Sequence, residues 1–445
     1  MWIKEIGIAA WNGQLLAQLT LIWIFQTCLY YLVGYGKGSL LVLTTSIVII
    51  GYGVLLTIVR HAIRTIFNRN VTDWYGIMKP TMLIHWIHLL RPLETIWRCL
   101  TYRVRVLPEV LILGEVRCGT TSLCHLLLSS STATPPFCLW NHPELDKKET
   151  FYFVGHYLGH VSPIHYPMCF PTIIWKWIQE RMFRQAFFTV DGCAQYLSSP
   201  TAPHLIAQTY QHYNQPPPIL IACVRHPVDQ AISWWDYEHA AMTWGSSTLG
   251  LSSYSWNTDI RSTDYPPKSI SEALKFSQSD FVTNARQRAK KHILQQNMNG
   301  KYLPPWAMTW PGGQLSTIGL NGFYTKNIDN YQQTFTQYFG PSSSSYVHIV
   351  PTHLLSQNSS KIVTDILKKI EQRKGQMGDT VGQTLLNNQI DTVKARTIPP
   401  IHRNSAPTIT NDTQTKDEKE NDRILLQQYF TREIKELETR YKINF

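Results

Sequence analysis

Charged residues are scarce in this 445-residue chain. They make up 16% of it, while hydrophobic residues make up 44% and aromatic residues 12%. A composition this apolar argues against a disordered chain and for a folded one with a sizeable core. The charged fraction is low for a cytosolic enzyme and is typical of a membrane protein. No internal repeat occurs in the sequence.

Metal-binding patterns are also absent from the sequence. The eight cysteines form no CxxC pair, and no HxH, HExxH or paired-carboxylate pattern occurs. A zinc site is therefore not predicted, and we expect the chemistry to need no metal. Disulfides among three of the cysteines (Cys138, Cys169 and Cys193) stay open, because spacing does not pair them.

The net charge of +11 lies largely near the N-terminus. Residues 1–110 carry ten Lys/Arg and four Asp/Glu, a balance of +6. No RNA- or DNA-reading motif accompanies this charge, so we predict no nucleic-acid partner.

Two long uncharged runs open the chain, and residues 14–33 and 38–59 are each apolar enough to span a bilayer at roughly 20 residues per crossing. We predict a membrane anchor over residues 1–60 with two transmembrane helices, and a membrane-proximal stem over 61–106. One signal anchor with a second, interfacial segment is the alternative. A cleaved signal peptide fits poorly, because both runs are long.

A phosphate-binding loop is predicted within residues 107–130. Val110 to Leu113 form an apolar run typical of a strand buried on both faces, and Gly114 and Gly119 bracket the loop after it. A helix then begins at Thr120. A strand, a glycine loop and a helix N-terminus direct backbone N–H groups and the positive end of the helix dipole to one point, which favours an anion.

The loop departs from the triphosphatase pattern GxxxxGK[ST] at one position. Thr120 stands where that pattern has the lysine that reaches the β- and γ-phosphates, and the only cation within the loop is Arg117. This departure counts against an ATPase or kinase. The plain structural alternative is a βα turn in which Gly and Thr only cap a helix.

A second apolar strand, residues 219–224, ends in another potential anion site. Arg225 follows the strand, Pro227 makes the turn, and Ser233 lies on the next helix. Arg225 and Ser233 could offer a charged donor and a hydroxyl to one phosphate. Alternatively, the arginine only caps a sheet edge and the serine faces solvent.

In order and spacing, the two motifs resemble those of sulfotransferases that use 3′-phosphoadenosine 5′-phosphosulfate (PAPS), and most closely the Golgi membrane-bound carbohydrate sulfotransferases. The resemblance covers roughly residues 107–355. It implies that PAPS is the donor and that Arg225 and Ser233 bind its 3′-phosphate. It also implies a 5′-phosphosulfate loop made of Arg117, Cys118, Gly119, Thr120, Thr121 and Ser122, with Arg117 as a catalytic cation.

The same resemblance implies that Glu149 is the catalytic base. It precedes an aromatic pair in Lys-Glu-Thr-Phe-Tyr-Phe, where related enzymes place a carboxylate, and it would take the proton of the acceptor hydroxyl or amine. A surface glutamate paired with Lys147 or Lys148 is the alternative. His156, His160 and His165 are alternative bases.

Two motifs depart from the family pattern. In the acceptor-side motif at residues 191–196, Gly192 and Cys193 replace Lys and Ser, so the resemblance does not carry over the acceptor's identity. In the 3′-phosphate motif, Gln230 replaces a second Arg.

The predicted location rests on the resemblance, which implies a catalytic domain in the Golgi lumen. Sequons at Asn70, Asn358 and Asn411 suit this location. The positive-inside rule points the other way, because Arg60, Arg64 and Arg69 follow the second predicted span.

Alternating strands and helices predict an α/β fold, a P-loop-like parallel sheet flanked by helices, over residues 107–445. We expect a flexible insertion at 356–424, which is polar, and an amphipathic closing helix at 423–441. The predicted function is transfer of the sulfuryl group of PAPS to a carbohydrate. A P-loop kinase or NTPase and a non-enzymatic membrane interaction protein are the alternatives.

Overall fold

The computed structural model describes residues 97–130, 133–134, 148–150, 152–154, 163–244, 269–280, 282–284, 286–287, 291, 318–341, 345–395, 416–443 and 445. By its internal contacts the chain divides into two units, Met1–Leu100 and Thr101–Phe445. Both predicted spans lie outside the described residues, and so does the predicted stem up to residue 96. Among the helices that are described, none combines the length and apolar character needed to cross a bilayer.

The second unit begins earlier than the sequence predicts, at Thr101 rather than near residue 107. The reason is a set of contacts made by the segment before the first strand. Arg105 pairs with Thr172 in an antiparallel bridge, and the Val106 amide donates to the Pro171 carbonyl at 3.0 Å. These bonds attach the segment to the domain.

Five parallel strands form the central sheet, in the order β2-β3-β1-β4-β5. They are β1 (Val110–Gly114), β2 (Ala133–Thr134), β3 (Phe188–Asp191), β4 (Ile219–Val224) and β5 (Val347–Pro351). Every residue of β1 and β3 is buried, as expected of strands covered by helices on both faces. The predicted α/β class with a parallel sheet is therefore confirmed, and the two apolar runs form strands where the sequence places them.

Eleven α-helices are described. They are α1 (Thr120–Ser130), α2 (Ile173–Trp177), α3 (Ala202–His212), α4 (Pro227–Trp244), α5 (Ile270–Ser277), α6 (Ile318–Asn321), α7 (Tyr324–Phe339), α8 (Thr352–Gln357), α9 (Ser359–Gln376), α10 (Thr380–Ala395) and α11 (Lys416–Tyr441). A π-helical turn, Ile178–Met182, continues α2.

Two groups of buried apolar side chains hold these elements together. The larger surrounds the sheet and includes Leu123 and Leu127 of α1, which recur at the helical spacing seen in the sequence. The smaller one joins α4 to α11 and includes Trp235 and Phe430.

The predicted flexible insertion at 356–424 is wrong for residues 359–395. These residues form α9 and α10, which pack against each other and against the larger core. Val363, Ile366 and Ile370 of α9 are fully buried. Their spacing of three and four residues gives one apolar face on a helix that is otherwise rich in polar residues, which explains why the composition alone misleads. Residues 396–415 lie outside the description.

Candidate functional site

The carboxyl ends of β1, β3, β4 and β5 meet at one edge of the sheet. Chain order reverses at β1, because β2 and β3 lie on one side of it and β4 and β5 on the other. In open parallel sheets, ligands bind in the crevice outside such a switch point. The phosphate-loop motif follows β1 directly, and the second motif follows β4.

The loop after β1 depends on backbone conformations that favour glycine. Gly114 and Gly119 have φ angles of +137° and +83°. A Cβ on Gly114 would lie 2.4 Å from the Ala194 carbonyl oxygen, and one on Gly119 would lie 2.9 Å from Leu355. Arg117 also has a positive φ, +62°, although it is not glycine. Both glycines are therefore required by backbone conformation and by space.

The second motif lies against this loop, so the structure brings the two predicted phosphate sites together. Arg117 Nε donates a hydrogen bond to Ser233 Oγ on α4 at 3.0 Å. A guanidinium nitrogen of Arg225 lies 3.5 Å from the Arg117 carbonyl oxygen. The two arginines, which are 108 residues apart in the sequence, are thus neighbours at the same edge.

Two further side chains hold the loop to its neighbours, and neither was predicted from the sequence motifs for this role. Gln230 Nε2 donates to the Val116 carbonyl at 3.1 Å, so Gln230 binds the backbone of the loop. Thr352 is placed within reach of two carbonyl oxygens, that of Cys118 at 2.7 Å and that of Val224 at 2.9 Å. Thr352 therefore joins the loop after β1 to the end of β4.

The Arg117 guanidinium is half-buried and stacks over the ring of Tyr237, 4.9 Å from its centroid. Burial lowers the pKa of Arg117, the Tyr237 side chain raises it, and Arg225 lowers it again, with a net shift downward. A guanidinium stays charged under such shifts, so two positive charges lie close together here. Such a pair favours an anion between or beside them.

A lysine from outside the loop contacts Thr120, the residue that stands where the triphosphatase pattern has a lysine. Lys148 Nζ lies 3.3 Å from Thr120 Oγ1 and forms an ion pair with Glu149. Burial tends to lower the pKa of Lys148, but the Glu149 carboxylate outweighs it, so the pKa is raised and the amine is charged. The sequence did not place Lys148 among the donor-binding residues.

Glu149 lies next to the phosphate loop through this pair. Its side chain is 10% exposed, so it is a partly buried carboxylate and not the surface residue of the alternative hypothesis. The ion pair between Glu149 and Lys148, which the alternative hypothesis also predicted, is present.

The acceptor-side motif contains a buried carboxylate, Asp191, at the end of β3. Its Oδ2 accepts hydrogen bonds from the hydroxyls of Tyr166 at 2.6 Å, Thr150 at 2.7 Å and Tyr196 at 3.0 Å. Its Oδ1 accepts from the Thr150 amide at 3.1 Å. Burial raises the pKa of Asp191 to about 6, although these donors lower it. The network fixes the backbone directly after Glu149.

Glu115, the first residue of the loop after β1, is a second buried acid. It is fully buried, and one of its carboxyl oxygens accepts from the Val116 amide at 3.0 Å. Burial raises the pKa of Glu115 to about 8, and Ser198 and Arg286 lower it only in part. The side chain is therefore mostly protonated near neutral pH.

The remaining predicted residues differ in their accessibility. Cys118 is buried, its thiol lies 3.4 Å from the Tyr324 hydroxyl, and burial raises its pKa to about 12, which suits packing and not nucleophilic attack. Thr120 is buried, whereas Thr121 is exposed and Ser122 half-buried on the first turn of α1. Within the described ranges, Cys193 is a buried free thiol, and Cys138 lies outside them.

The alternative bases and metal ligands receive little support. His165 packs edge-on against Tyr102 with ring centroids 4.6 Å apart, and burial lowers its pKa. His156 and His160 lie outside the described residues. In the part of the chain that is described, no three His, Cys, Asp or Glu side chains come together as a metal site would require.

Comparison with known proteins gives few matches. No protein-family model matches the chain. No curated protein sequence matches it either. Among solved structures, the chain is similar to a sulfotransferase from Alicyclobacillus acidocaldarius, with 16% sequence identity over 76% of this chain and 98% of that one. The TM-score is 0.36, a similarity too low to bear on the fold or the function.

Proposed function

We propose that the protein is a membrane-bound sulfotransferase that moves the sulfuryl group of PAPS to a hydroxyl or amine of a carbohydrate. The observation that carries this proposal is the meeting of two basic motifs at one sheet edge, where Arg117 donates to Ser233 and Arg225 lies against the Arg117 backbone. PAPS has phosphate-type groups at both ends of one ribose, and a site for it needs two adjacent anion-binding centres.

The donor's two ends would be held by different elements. The amides at the start of α1 have no partner within the helix, and together with Thr120, Lys148 and Arg117 they suit the 5′-phosphosulfate. Arg225 and Ser233 suit the 3′-phosphate. The chain offers these groups as side chains and backbone of its own, so no metal is needed to neutralise the charge.

Sulfuryl transfer forms a bond from the acceptor oxygen or nitrogen to sulfur and breaks the bond from sulfur to the phosphate oxygen. Arg117 would stabilise the charge that develops on this leaving oxygen. Glu149 would accept the proton released by the acceptor. Its pairing with Lys148 keeps this base beside the phosphate loop.

The carbohydrate acceptor, the membrane anchor and the Golgi lumen come from the sequence: the family resemblance supports the acceptor and the compartment, and the two apolar runs support the anchor. The departures at Gly192 and Cys193 follow Asp191 directly, at the carboxyl end of β3. An acceptor that differs from those of typical relatives is therefore part of the proposal.

The test is an assay of the full chain in detergent micelles with radiolabelled PAPS and a glycan panel. We expect transfer by the wild type and its loss in Arg117→Ala and Arg225→Ala. Arg432→Ala, which changes an exposed arginine on α11, is the matched control. Calorimetry with 3′-phosphoadenosine 5′-phosphate (PAP) should show binding that both site variants weaken. Full activity in either site variant would refute the role assigned to that arginine.

One observation favours a P-loop kinase or NTPase as the second candidate. Lys148 reaches Thr120 from outside the loop, so the site has a lysine amine where the triphosphatase pattern requires one. ATP binding and phosphoryl transfer, with no binding of PAP, would establish that function. Failure of both nucleotides to bind would favour the non-enzymatic alternative.

A further inference from the structure

A short helical segment exposes apolar side chains that are large enough to need an explanation. From the start of α2 to the residue that follows the π-helical turn, five apolar side chains are each more than half exposed: Ile173, Ile174, Trp177, Met182 and Phe183. We call these five residues the apolar face. Five exposed large apolar side chains within eleven residues are more than the scattered single ones of an ordinary surface, and such a concentration points to an interaction site.

The opposite side of the same segment is polar and buried. Glu180 is 5% exposed and accepts from Lys374 Nζ at 2.9 Å, while Lys176 pairs with Asp379 at 2.7 Å. Ion pairs thus fix the segment to α9 and to the turn between α9 and α10, with its apolar residues exposed. This is the reverse of the usual arrangement for a surface helix, in which the apolar stripe faces the core.

The apolar face lies where the chain enters the second unit. The Arg105–Thr172 bridge joins the segment before β1 to the start of α2, and Val104, next to Arg105 in the chain, is half exposed. Upstream of this point are the two runs, 14–33 and 38–59, that are predicted to span a bilayer. The start of α2 is therefore bridged to the last residues of the predicted membrane-proximal stem, which ends at residue 106.

Charge around the apolar face is positive. Arg103, Arg181 and Arg184 are exposed beside it, and the only acid within residues 163–190 is the buried Glu180. Residues 60–100 of the chain carry six Lys/Arg and two Asp/Glu, a balance of +4. That segment has the same sign of charge as the rim of the face, so an anionic occupant is better matched.

We propose that the apolar face inserts into the headgroup–acyl boundary of an anionic bilayer, with Arg181 and Arg184 at the lipid phosphates. Exposed isoleucine, tryptophan and methionine flanked by arginine is the composition of an interfacial membrane surface. This contact would hold the catalytic domain against the bilayer in addition to any transmembrane anchor. It does not depend on the proposed donor or acceptor.

The test uses the full chain in nanodiscs that contain a lipid with a photoactivatable diazirine on its acyl chain. Cross-linked residues are mapped by mass spectrometry in discs of phosphatidylcholine with and without phosphatidylserine. We expect lipid adducts within residues 173–183, and at least a tenfold loss of them in the triple variant Ile174→Glu, Trp177→Glu, Met182→Glu. Ile424→Glu changes an exposed apolar residue on α11 and should keep the adducts.

Reversing the charge of the two arginines separates the electrostatic part of the proposed membrane contact from the apolar part. Arg181→Glu with Arg184→Glu should lower the adducts several-fold in discs with phosphatidylserine and little in discs without it. Thermal melting of each variant, followed by circular dichroism, should match the wild type because all substituted positions are exposed. Absence of lipid adducts at 173–183 would overturn the proposal, as would protein cross-links from these residues to 60–96 in place of lipid.

Discussion

Lys148 supplies the positive charge that the phosphate loop lacks at Thr120. Its amine is held by Glu149 on one side and lies 3.3 Å from the Thr120 hydroxyl on the other. A charged donor at this distance from the start of α1 adds to the helix dipole and to Arg117 in favouring an anion.

Replacing Lys148 by methionine should therefore weaken donor binding. A hydrogen bond to a charged group contributes about 1.5–3 kcal/mol, so we expect affinity for PAP to fall about 10- to 100-fold in Lys148→Met. Calorimetry on the full chain measures this. Lys435→Met, an exposed lysine on α11, should bind as the wild type does. An unchanged affinity in Lys148→Met would remove this lysine from the site.

Glu149→Gln should affect turnover and not donor affinity. A positioned general base contributes about 10²- to 10⁴-fold to the rate, so we expect kcat to fall by that factor while PAP affinity changes only a few-fold. Steady-state kinetics with PAPS and calorimetry with PAP separate the two effects. If PAP affinity fell as steeply as turnover, Glu149 would be organising the donor site and not acting as the base.

The two arginines could be predicted from the sequence because each follows an apolar strand, and parallel strands place their carboxyl ends at one edge. Lys148 and Thr352 could not be predicted in the same way. Lys148 acts on Thr120 across 28 residues of chain, and Thr352 reaches the Cys118 carbonyl across 234. No short pattern in the sequence encodes either contact.

At the scale of elements, β3 and the segment at 148–154 are joined through one buried carboxylate. Asp191 binds the hydroxyl and amide of Thr150, and the Gly192 amide donates to the Lys148 carbonyl at 2.7 Å. The Tyr152 amide in turn donates to the Tyr196 hydroxyl at 3.0 Å. The position of Lys148 and Glu149 therefore depends on the end of β3.

The network predicts a pH dependence of stability that can be isolated by substitution. Burial raises the pKa of Asp191 from 3.8 to about 6, so between these values the folded chain binds more protons at Asp191 than the unfolded chain. The contribution of Asp191 to stability must then fall as pH rises from about 4 to about 6, by on the order of 3 kcal/mol for a shift of this size.

The measurement is chemical unfolding of the full chain in detergent at several pH values, for the wild type and Asp191→Asn. The difference between their free energies of unfolding cancels the other titrating groups, including Glu115. We expect the free energy of unfolding of the wild type, relative to that of Asp191→Asn, to fall as the pH rises from 4 to 6. Below pH 4 and above pH 6 the difference should stay constant. A difference that is constant across this range, or that moves in the opposite direction, would contradict the raised pKa.

Strands β1 and β4 were predictable at this scale because each is a continuous apolar run, as buried parallel strands are. The α9–α10 hairpin was not predicted, although Val363, Ile366, Leu367 and Ile370 repeat at helical spacing within it. Ser, Asn, Gln and charged residues dominate the composition of this region and obscured the periodicity. A helix that buries a narrow stripe needs few apolar residues, so spacing is a better guide than composition.

At the scale of the whole unit, the larger core extends from the sheet to α9 and α10. Leu367 of α9 and Leu127 of α1 are both fully buried in it. Lys374 of α9 is also buried, with 1% of its surface exposed, and it forms an ion pair with Glu180. Burial lowers the pKa of Lys374, but the nearby carboxylates of Glu109, Glu180 and Asp379 outweigh this effect, so the pKa is raised. The hairpin is thus joined to the domain by apolar packing and by a buried ion pair.

If α9 and α10 share the core of the domain, a substitution in α9 should destabilise the whole domain. An insertion that folds by itself would not have this effect. Truncation of a buried leucine costs about 2–5 kcal/mol, and in a shared core that loss is felt by the whole cooperative unit. Leu367→Ala should therefore lower the melting temperature of the entire domain in a single transition, and binding of PAP should be lost in step with it.

Melting is followed by tryptophan fluorescence and circular dichroism, with PAP affinity measured well below the transition. Ile424→Ala, at an exposed apolar position on α11, should melt as the wild type does. Alternatively, only part of the change in fluorescence and circular dichroism could occur at a lower temperature, with PAP still bound at temperatures above that first transition. This result would mean that α9 and α10 unfold by themselves. A single transition at a lower temperature would establish that α9 and α10 stabilise the sheet edge that carries Arg117 and Arg225. These helices are distant from that edge in the chain, because α9 begins at Ser359, more than 130 residues after Arg225.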